Sequence, residues 1–533
     1  MAGHDNPPRR RHRQPSDPKV SLQSPSRFRT VVASPGARAW TVLCSARPGT
    51  LRCFHRVLAL LMCIEFADRW SATGLLYSVD RVGGEAAPLA VLEYLDTVEW
   101  RPIVLLAVAS AVAATASAAA LPAIGLLVLY VSLSLRAPTF MWILDRYAHT
   151  LLLISAILPR VAQHASPSNS PPPPRAAQRS DGCEMPMASG VVALARLQVC
   201  WIYVDAAIVK WQSGAWWCAA PTRLSALDVY LRHTAGSALF RRMAALTPLG
   251  EGPALRVLSS ATVVIELGAP ALLLIACGCQ PRARRWLARG SLALLGGLHA
   301  AIATTMSGTV LLSAMAALAL VLWADVALPD AKMCSGRGAA SLEARLDQPR
   351  IYNGRRRTGL LAIALASCAS FEVNRALSAS GDGDHAANEA YQTRRVLLGN
   401  RWNVFGPAAP YITWEIAPGK LADGSVTDVW RASEVVSWSV PGPRQALRHS
   451  RYRMVPFLSG RAKDGGDVGQ RFWEAVCLEW NRRQPATRRL VRFKFFMLSA
   501  ELLSEGREGK VGKALVRDHL CNSSSTPVSP DPP

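Results

Sequence analysis

Nine stretches of the chain are almost continuously apolar: Val57–Leu76, Ile103–Ser117, Ala118–Leu135, Trp142–Leu158, Val191–Val209, Val257–Cys277, Gly290–Thr305, Val310–Leu328 and Thr358–Val373. Unbroken apolar runs near the ~20 residues that cross a bilayer, with charges gathered between them, predict an all-α multi-pass membrane bundle. Several runs are short for a straight span, so about eight or nine transmembrane helices are expected. The second and third adjoin through Leu121-Pro122, which reads as two helices or as one kinked or re-entrant unit. Ser166–Pro174 (SPSNSPPPP) predicts an extended linker within 160–189.

The pattern changes after Tyr391. Tyr411–Ala417 and Ser425–Arg431 alternate in strand fashion around Leu421-Ala422-Asp423-Gly424, which predicts a hairpin. Gly469–Arg483 places Phe472, Val476 and Trp480 on one helical stripe before Pro485, and Leu490–Leu498 reads as a buried strand. The chain therefore divides into a basic, disordered tail (1–52), a transmembrane domain (53–375), a small α+β extramembrane domain (391–505) and a disordered tail (506–533).

Composition sharpens this picture. The net charge is +23, yet 50% of the residues are hydrophobic. Basic residues lie between apolar runs and lack the aromatic interleaving of a nucleic-acid binder, so nucleic acid is not an expected partner and the lipid bilayer is. Arg282, Arg284, Arg285, Arg289 and Arg355-Arg356-Arg357 fall in connectors that a cytoplasmic N-terminus would leave inside. That orientation places the C-terminal domain outside, lumenal or extracellular, in the endoplasmic reticulum or another endomembrane. Arg223, Arg232, Arg241, Arg242 and Arg256 run against it, because Gln212–Arg256 would also be external. The sequon at Asn522 agrees with it.

Twelve cysteines include no C-x-x-C pair and no zinc spacing. Cys63, Cys200, Cys277 and Cys368 lie in apolar runs, as small core residues do. Cys218, Cys477 and Cys521 suit an oxidising compartment, with their pairing open.

Chemistry concentrates around Lys210, which ends an apolar run and opens the tryptophan-rich Trp211-Gln212-Ser213-Gly214-Ala215-Trp216-Trp217. Such a lysine either snorkels to the interface inside an aromatic belt or is held for a task. An amine stripped of water gives up its proton more readily, and lysine bases use that property. Arg196, Tyr203 and Lys210 share a helix face at seven-residue spacing, and Asp205 lies well around the axis from Lys210. Glu266 and His299 fall mid-run in later helices, where they must face each other, a polar cavity or a site. Glu65 and Arg69 are spaced for a local ion pair, and Arg136 and Asp145 bracket a turn.

Arg196-Leu197-Gln198, Ile202-Tyr203, Lys210 and Trp216, followed by Val264-Ile265-Glu266-Leu267, Pro270, Leu298-His299 and Met306-Ser307-Gly308, resemble the HTTM (horizontally transferred transmembrane domain) family. That family includes the vitamin K-dependent gamma-carboxylases. Asn400–Pro407, Leu421–Gly424 and Glu479–Arg483 extend the likeness, which runs from about Leu51 to Leu503. In the carboxylases, a lysine matching Lys210 deprotonates vitamin K hydroquinone. The oxygenated product takes the γ-proton of a peptide glutamate, and carbon dioxide adds. The resemblance implies a catalytic group of Lys210, Glu266 and His299, with Tyr203 and Trp216 near a reduced vitamin K or other quinone and a protein glutamate as partner. Two departures stand beside it. Val209 precedes Lys210 where the carboxylases have a second lysine, and no stretch of this sequence resembles the propeptide-holding part of the larger lumenal portion of the animal carboxylases. The alternatives are a transporter using Glu266 and His299, or a non-catalytic maturation or scaffold protein.

Overall fold

The computed structural model describes residues 35–72, 100–116, 121–136, 143–158, 187–188, 190–212, 214–217, 224–231, 237–306, 309–328, 411–440, 468–503 and 508–521. It is mostly helical, with a small antiparallel sheet near the C-terminus. The run Thr358–Val373, the polyproline linker, the sequon and the 391–410 part of the extramembrane domain lie outside the described residues.

Eight of the nine apolar runs fall in helices: α2 (Pro48–Ala72), α3 (Trp100–Ala116), α4 (Leu121–Arg136), α5 (Ile143–Ile157), α6 (Gly190–Gln212), α9 (Glu251–Gly278), α10 (Pro281–Thr305) and α11 (Val310–Val321). A short α1 (Pro35–Cys44) precedes them; α7 (Ala226–Leu231) and α8 (Ser237–Ala245) follow α6, and α12 (Ala324–Ala327) follows α11. Three of these helices, α6, α9 and α10, are long and apolar enough to cross a membrane. The 25 residues of α2 are long enough, but they carry Arg52, Arg56, Glu65, Asp68 and Arg69.

Two boundaries differ from the sequence expectation, and a third, which the sequence left open, is decided. Residues 35–52 belong to α1 and the start of α2, so helix begins well inside the stretch assigned to a disordered tail. Asp325 makes that early start workable. Its carboxylate accepts the Arg47 backbone N–H (2.8 Å) and the Thr50 hydroxyl (2.6 Å), capping α2 from a distant helix. Leu121-Pro122 opens a separate helix, α4, that packs on α3, with proline in the first turn where its missing N–H is harmless. The arginines of 280–289 lie on the first turns of α10, because only Cys279 and Gln280 separate α9 from α10.

The helices form one buried apolar network. Neighbours α2–α3, α3–α4 and α4–α5 pack in sequence, as do α9–α10 and α10–α11; α9 also packs on α6, and α11 closes on α2 and α5. Arg196 ties three elements at the α6 end opposite Lys210. Fully buried, it donates to the carbonyls of Leu322 (2.7 Å), Val42 (2.8 Å) and Leu43 (2.9 Å).

Two short strands, β1 (Ser45–Ala46) and β2 (Met187–Ala188), pair antiparallel beside the helices, and a separate five-stranded sheet is built on β6 (Leu490–Leu502). On one side it pairs with β3 (Tyr411–Ile416) and β4 (Pro418–Leu421), which in turn pairs with β5 (Val426–Asp428); on the other side lies β7 (Glu508–Leu520). The predicted hairpin turn is present at Ala422–Gly424, with Gly424 at φ 86°. It joins β4 to β5, whereas Tyr411–Ile416 pairs with β6 instead. Helix α13 (Val468–Arg483) matches the amphipathic prediction and buries Phe472, Trp473 and Val476.

Strand β6 changes its buried face midway. Leu490, Phe493 and Phe495 are buried, with Trp473 of α13 near both phenylalanines, whereas Leu498 and Ala500 face Trp414 and Ile416. The register with β7 shifts between Phe495 and Phe496, and such a bulge turns a strand over. The switch explains why Phe495, Phe496, Met497 and Leu498 follow one another without the alternation of a one-sided strand.

The last correction concerns 506–533. Residues 508–520 form the 13-residue β7 rather than a disordered tail, and Cys521 just beyond it is disulfide-bonded to Cys477 of α13. Two glycines and five charged residues hide this strand from a hydrophobic pattern.

Candidate functional site

Helix α6 ends where Gly214 takes a left-handed conformation (φ 63°), open to glycine without strain. The chain turns back there, and Trp216 packs under the last helical turn, 2% exposed. The turn is held by the Ala226 N–H bonded to the Ala215 carbonyl (3.0 Å). Lys210 closes over this ring, its Nζ 5.4 Å from the indole centroid.

Lys210 is itself buried, with 1% exposure, so it does not snorkel. Its Nζ donates to both carboxylate oxygens of Glu266, at 2.8 and 2.7 Å. Glu266 stands midway along α9, which packs on α6, and is 6% exposed. Asp205, on another face of α6, is not the carboxylate these bonds use, as its helical phase implies.

Two turns toward the other end of α6, about 10 Å along the axis, Tyr203 is buried, and its hydroxyl shares a 2.7 Å hydrogen bond with Nε2 of His299 on α10. The two ionisable groups of α9 and α10 are therefore not partners of each other. Each meets the polar face of α6, Glu266 at Lys210 and His299 at Tyr203. Arg196, the third member of the seven-residue series, is absorbed in the carbonyl clamp.

Around the ion pair lie more aromatic rings. Tyr230 sits 5.8 Å from Trp216, and Trp211 stacks on Trp217 at 4.3 Å with a 25° interplanar angle. Of the arginines in the 212–256 stretch, Arg241 has local acidic partners: it pairs with Glu251 and, at 3.8 Å, with Asp228.

A second buried polar group joins α2, α4 and α5. Arg69 Nε donates to Glu65 (2.8 Å), as the i,i+4 spacing predicts, and its guanidinium also pairs with Asp145. The Tyr130 hydroxyl bonds Asp145 at 3.1 Å, and its ring lies under the Arg69 guanidinium at 4.4 Å. Tyr130 has no sequence signal beyond being a phenol inside an apolar run. The Arg136 side chain lies outside the described residues, so the bracketing of this turn stays an expectation.

Among the described residues no group of three His, Cys, Asp or Glu side chains could hold a metal ion. The chain matches no family model, no curated protein and no solved structure.

Proposed function

We propose that the protein is a multi-pass membrane protein of the HTTM type, with eight or nine spans, that couples oxidation of a quinol to carboxylation or related chemistry. One observation carries this reading: a lysine and a glutamate, both buried, share two hydrogen bonds at the end of an apolar helix. A buried ion pair adds little stability over apolar residues of the same size, so its presence in a membrane helix favours a task.

Glu266 makes a base of Lys210 feasible. Moving the shared proton from Nζ to the carboxylate leaves two neutral groups, and neither is then a bare charge in an apolar site. The freed amine can accept a hydroxyl proton from a ring at the bilayer rim. Tyr203 and His299 hold a second exchangeable proton deeper along the same face. Trp216 fixes the height of Nζ from below and keeps water from it. A reduced quinone, when bound, would supply the reducing power and the acidic hydroxyl. The apolar, aromatic surroundings and the basic Lys210 suit such a ring.

The orientation has two supports. The arginines of the first α10 turns lie at the end of the bundle opposite Lys210, and the Cys477–Cys521 disulfide is of the kind kept in oxidising compartments. The Lys210 end and the sheet domain accordingly face the lumen or exterior of an endomembrane. A peptide glutamate would then reach the site from that side.

Lys210→Ala, and the Lys210→Met/Glu266→Leu pair that strands no charge, should both abolish quinone epoxide formation in purified membranes, and undiminished epoxide in either would refute the role. A transport reading draws on the two polar layers along α6. It predicts proton-coupled uptake in liposomes that is lost in both Glu266→Gln and His299→Ala.

A further inference from the structure

Beyond the residues that move protons, the surface of α6 carries a binding feature of its own. Trp211 follows Lys210 directly and is 49% exposed, although it packs flat on Trp217. One face of its indole is thus backed by another ring, and the rest is open to the surroundings. Leu197, Trp201 and Ile208 are also exposed, and with Trp211 they fall on one stripe of the helix at spacings of four, seven and three. An apolar track of about 20 Å leads along α6 to a fixed aromatic face one residue beyond Lys210.

We propose that Trp211, held by Trp217, is the docking face for a planar, electron-poor ring such as a quinone, with its apolar tail along Leu197, Trp201 and Ile208. Indole is electron-rich, and a ring depleted of electrons stacks on it more favourably than an aliphatic lipid chain does. The Trp217 stack removes rotational freedom that a lone surface indole would lose on binding, so the face is preorganised. An interfacial anchor requires only that an indole lie at headgroup depth, not that it be stacked. Trp216 does not compete for this task, because Lys210 and Tyr230 cover it. The proposal rests on the quinone reading above and adds where the ring lies.

The test uses the full-length protein in phosphatidylcholine nanodiscs, titrated with a 1,4-naphthoquinone carrying an isoprenoid tail, with quenching of tryptophan emission as the readout. The wild type should show a saturable component above the linear background of free quinone in lipid. Trp211→Leu should weaken that component about threefold to tenfold, the worth of one aromatic stack. Trp211→Phe should retain most of it. An unchanged saturable affinity in Trp211→Leu, or no saturable phase in the wild type, overturns the proposal. Epoxide formation that needs Lys210, with unchanged affinity in Trp211→Leu, sinks the docking face and spares the chemistry. Saturable binding that needs Trp211 without any epoxide sinks the chemistry and sustains the docking face.

Discussion

Replacing Glu266 by leucine leaves the ammonium of Lys210 in a site where both side chains are almost fully buried and where Nζ gave two short bonds to that carboxylate. Each charge-assisted bond is worth about 1.5–3 kcal/mol, and breaking a buried pair from one side costs about 3–5 kcal/mol because the remaining charge is stranded. Lys210→Met alone should cost a similar amount, since it strands Glu266. The double variant Lys210→Met/Glu266→Leu strands nothing and fills the same volume, so it should recover to within about 1 kcal/mol of the wild type. The assay is reversible unfolding of the purified protein in mixed micelles, read as a double-mutant cycle. A coupling of several kcal/mol supports a dry ion pair. Single variants that each lose less than about 1 kcal/mol, with no coupling, would mean that water reaches Nζ and that the burial argument fails.

Other consequences concern the sheet domain. Alkylation followed by mass spectrometry should find Cys477 and Cys521 protected until reduction, and Cys477→Ala should lower the stability of this domain by about 2–5 kcal/mol. Gly419→Ala should destabilise it by about 1–3 kcal/mol, because an added Cβ would lie 2.3 Å from Val429 Cγ2 and 2.6 Å from Leu490 Cδ1; an unchanged melting curve would contradict that packing. The hydrogen bonds from Arg492 hold the Asp518 carboxyl below the usual carboxylate range, and burial holds the His519 imidazolium below its ordinary value. Both folded-state values are depressed. The stabilisation is therefore complete above the ordinary imidazole and carboxylate values and is lost as pH falls through the folded ones. Amide protection factors in β7, corrected for the intrinsic exchange rate, should fall between neutral pH and about pH 3, and the part of that fall below about pH 4 should be smaller in Arg492→Ala/Asp518→Ala.

Apolar runs were readable because a bilayer leaves no alternative for an uncharged stretch of that length, and eight runs fall in helices. Their ends were less readable. The start of α2 depends on Asp325, some 275 residues away, and a distant cap leaves no local mark. Lys210, Glu266, Tyr203 and His299 stood out as charges and hydrogen-bonding groups in apolar surroundings. Which of them would meet was beyond a single helix's periodicity, since it depends on how α6, α9 and α10 pack. The glycine-bearing 214–217 turn that carries Trp216 back beneath Lys210 explains why a lysine one turn from a helix end is buried rather than extended to the interface. In the sheet domain, helix α13 and the tight turn at Gly424 carry strong local signals. Strand β7 carries none, being polar and stabilised by its neighbour and a disulfide.

The most direct test of the central claim is oxygen dependence in the purified wild-type protein supplied with a reduced quinone. Epoxide should form in air, with one oxygen atom drawn from labelled molecular oxygen, and should stop under anaerobic conditions and in Lys210→Ala. A folded preparation that yields no epoxide with oxygen present, or yields it equally without Lys210, would contradict the account.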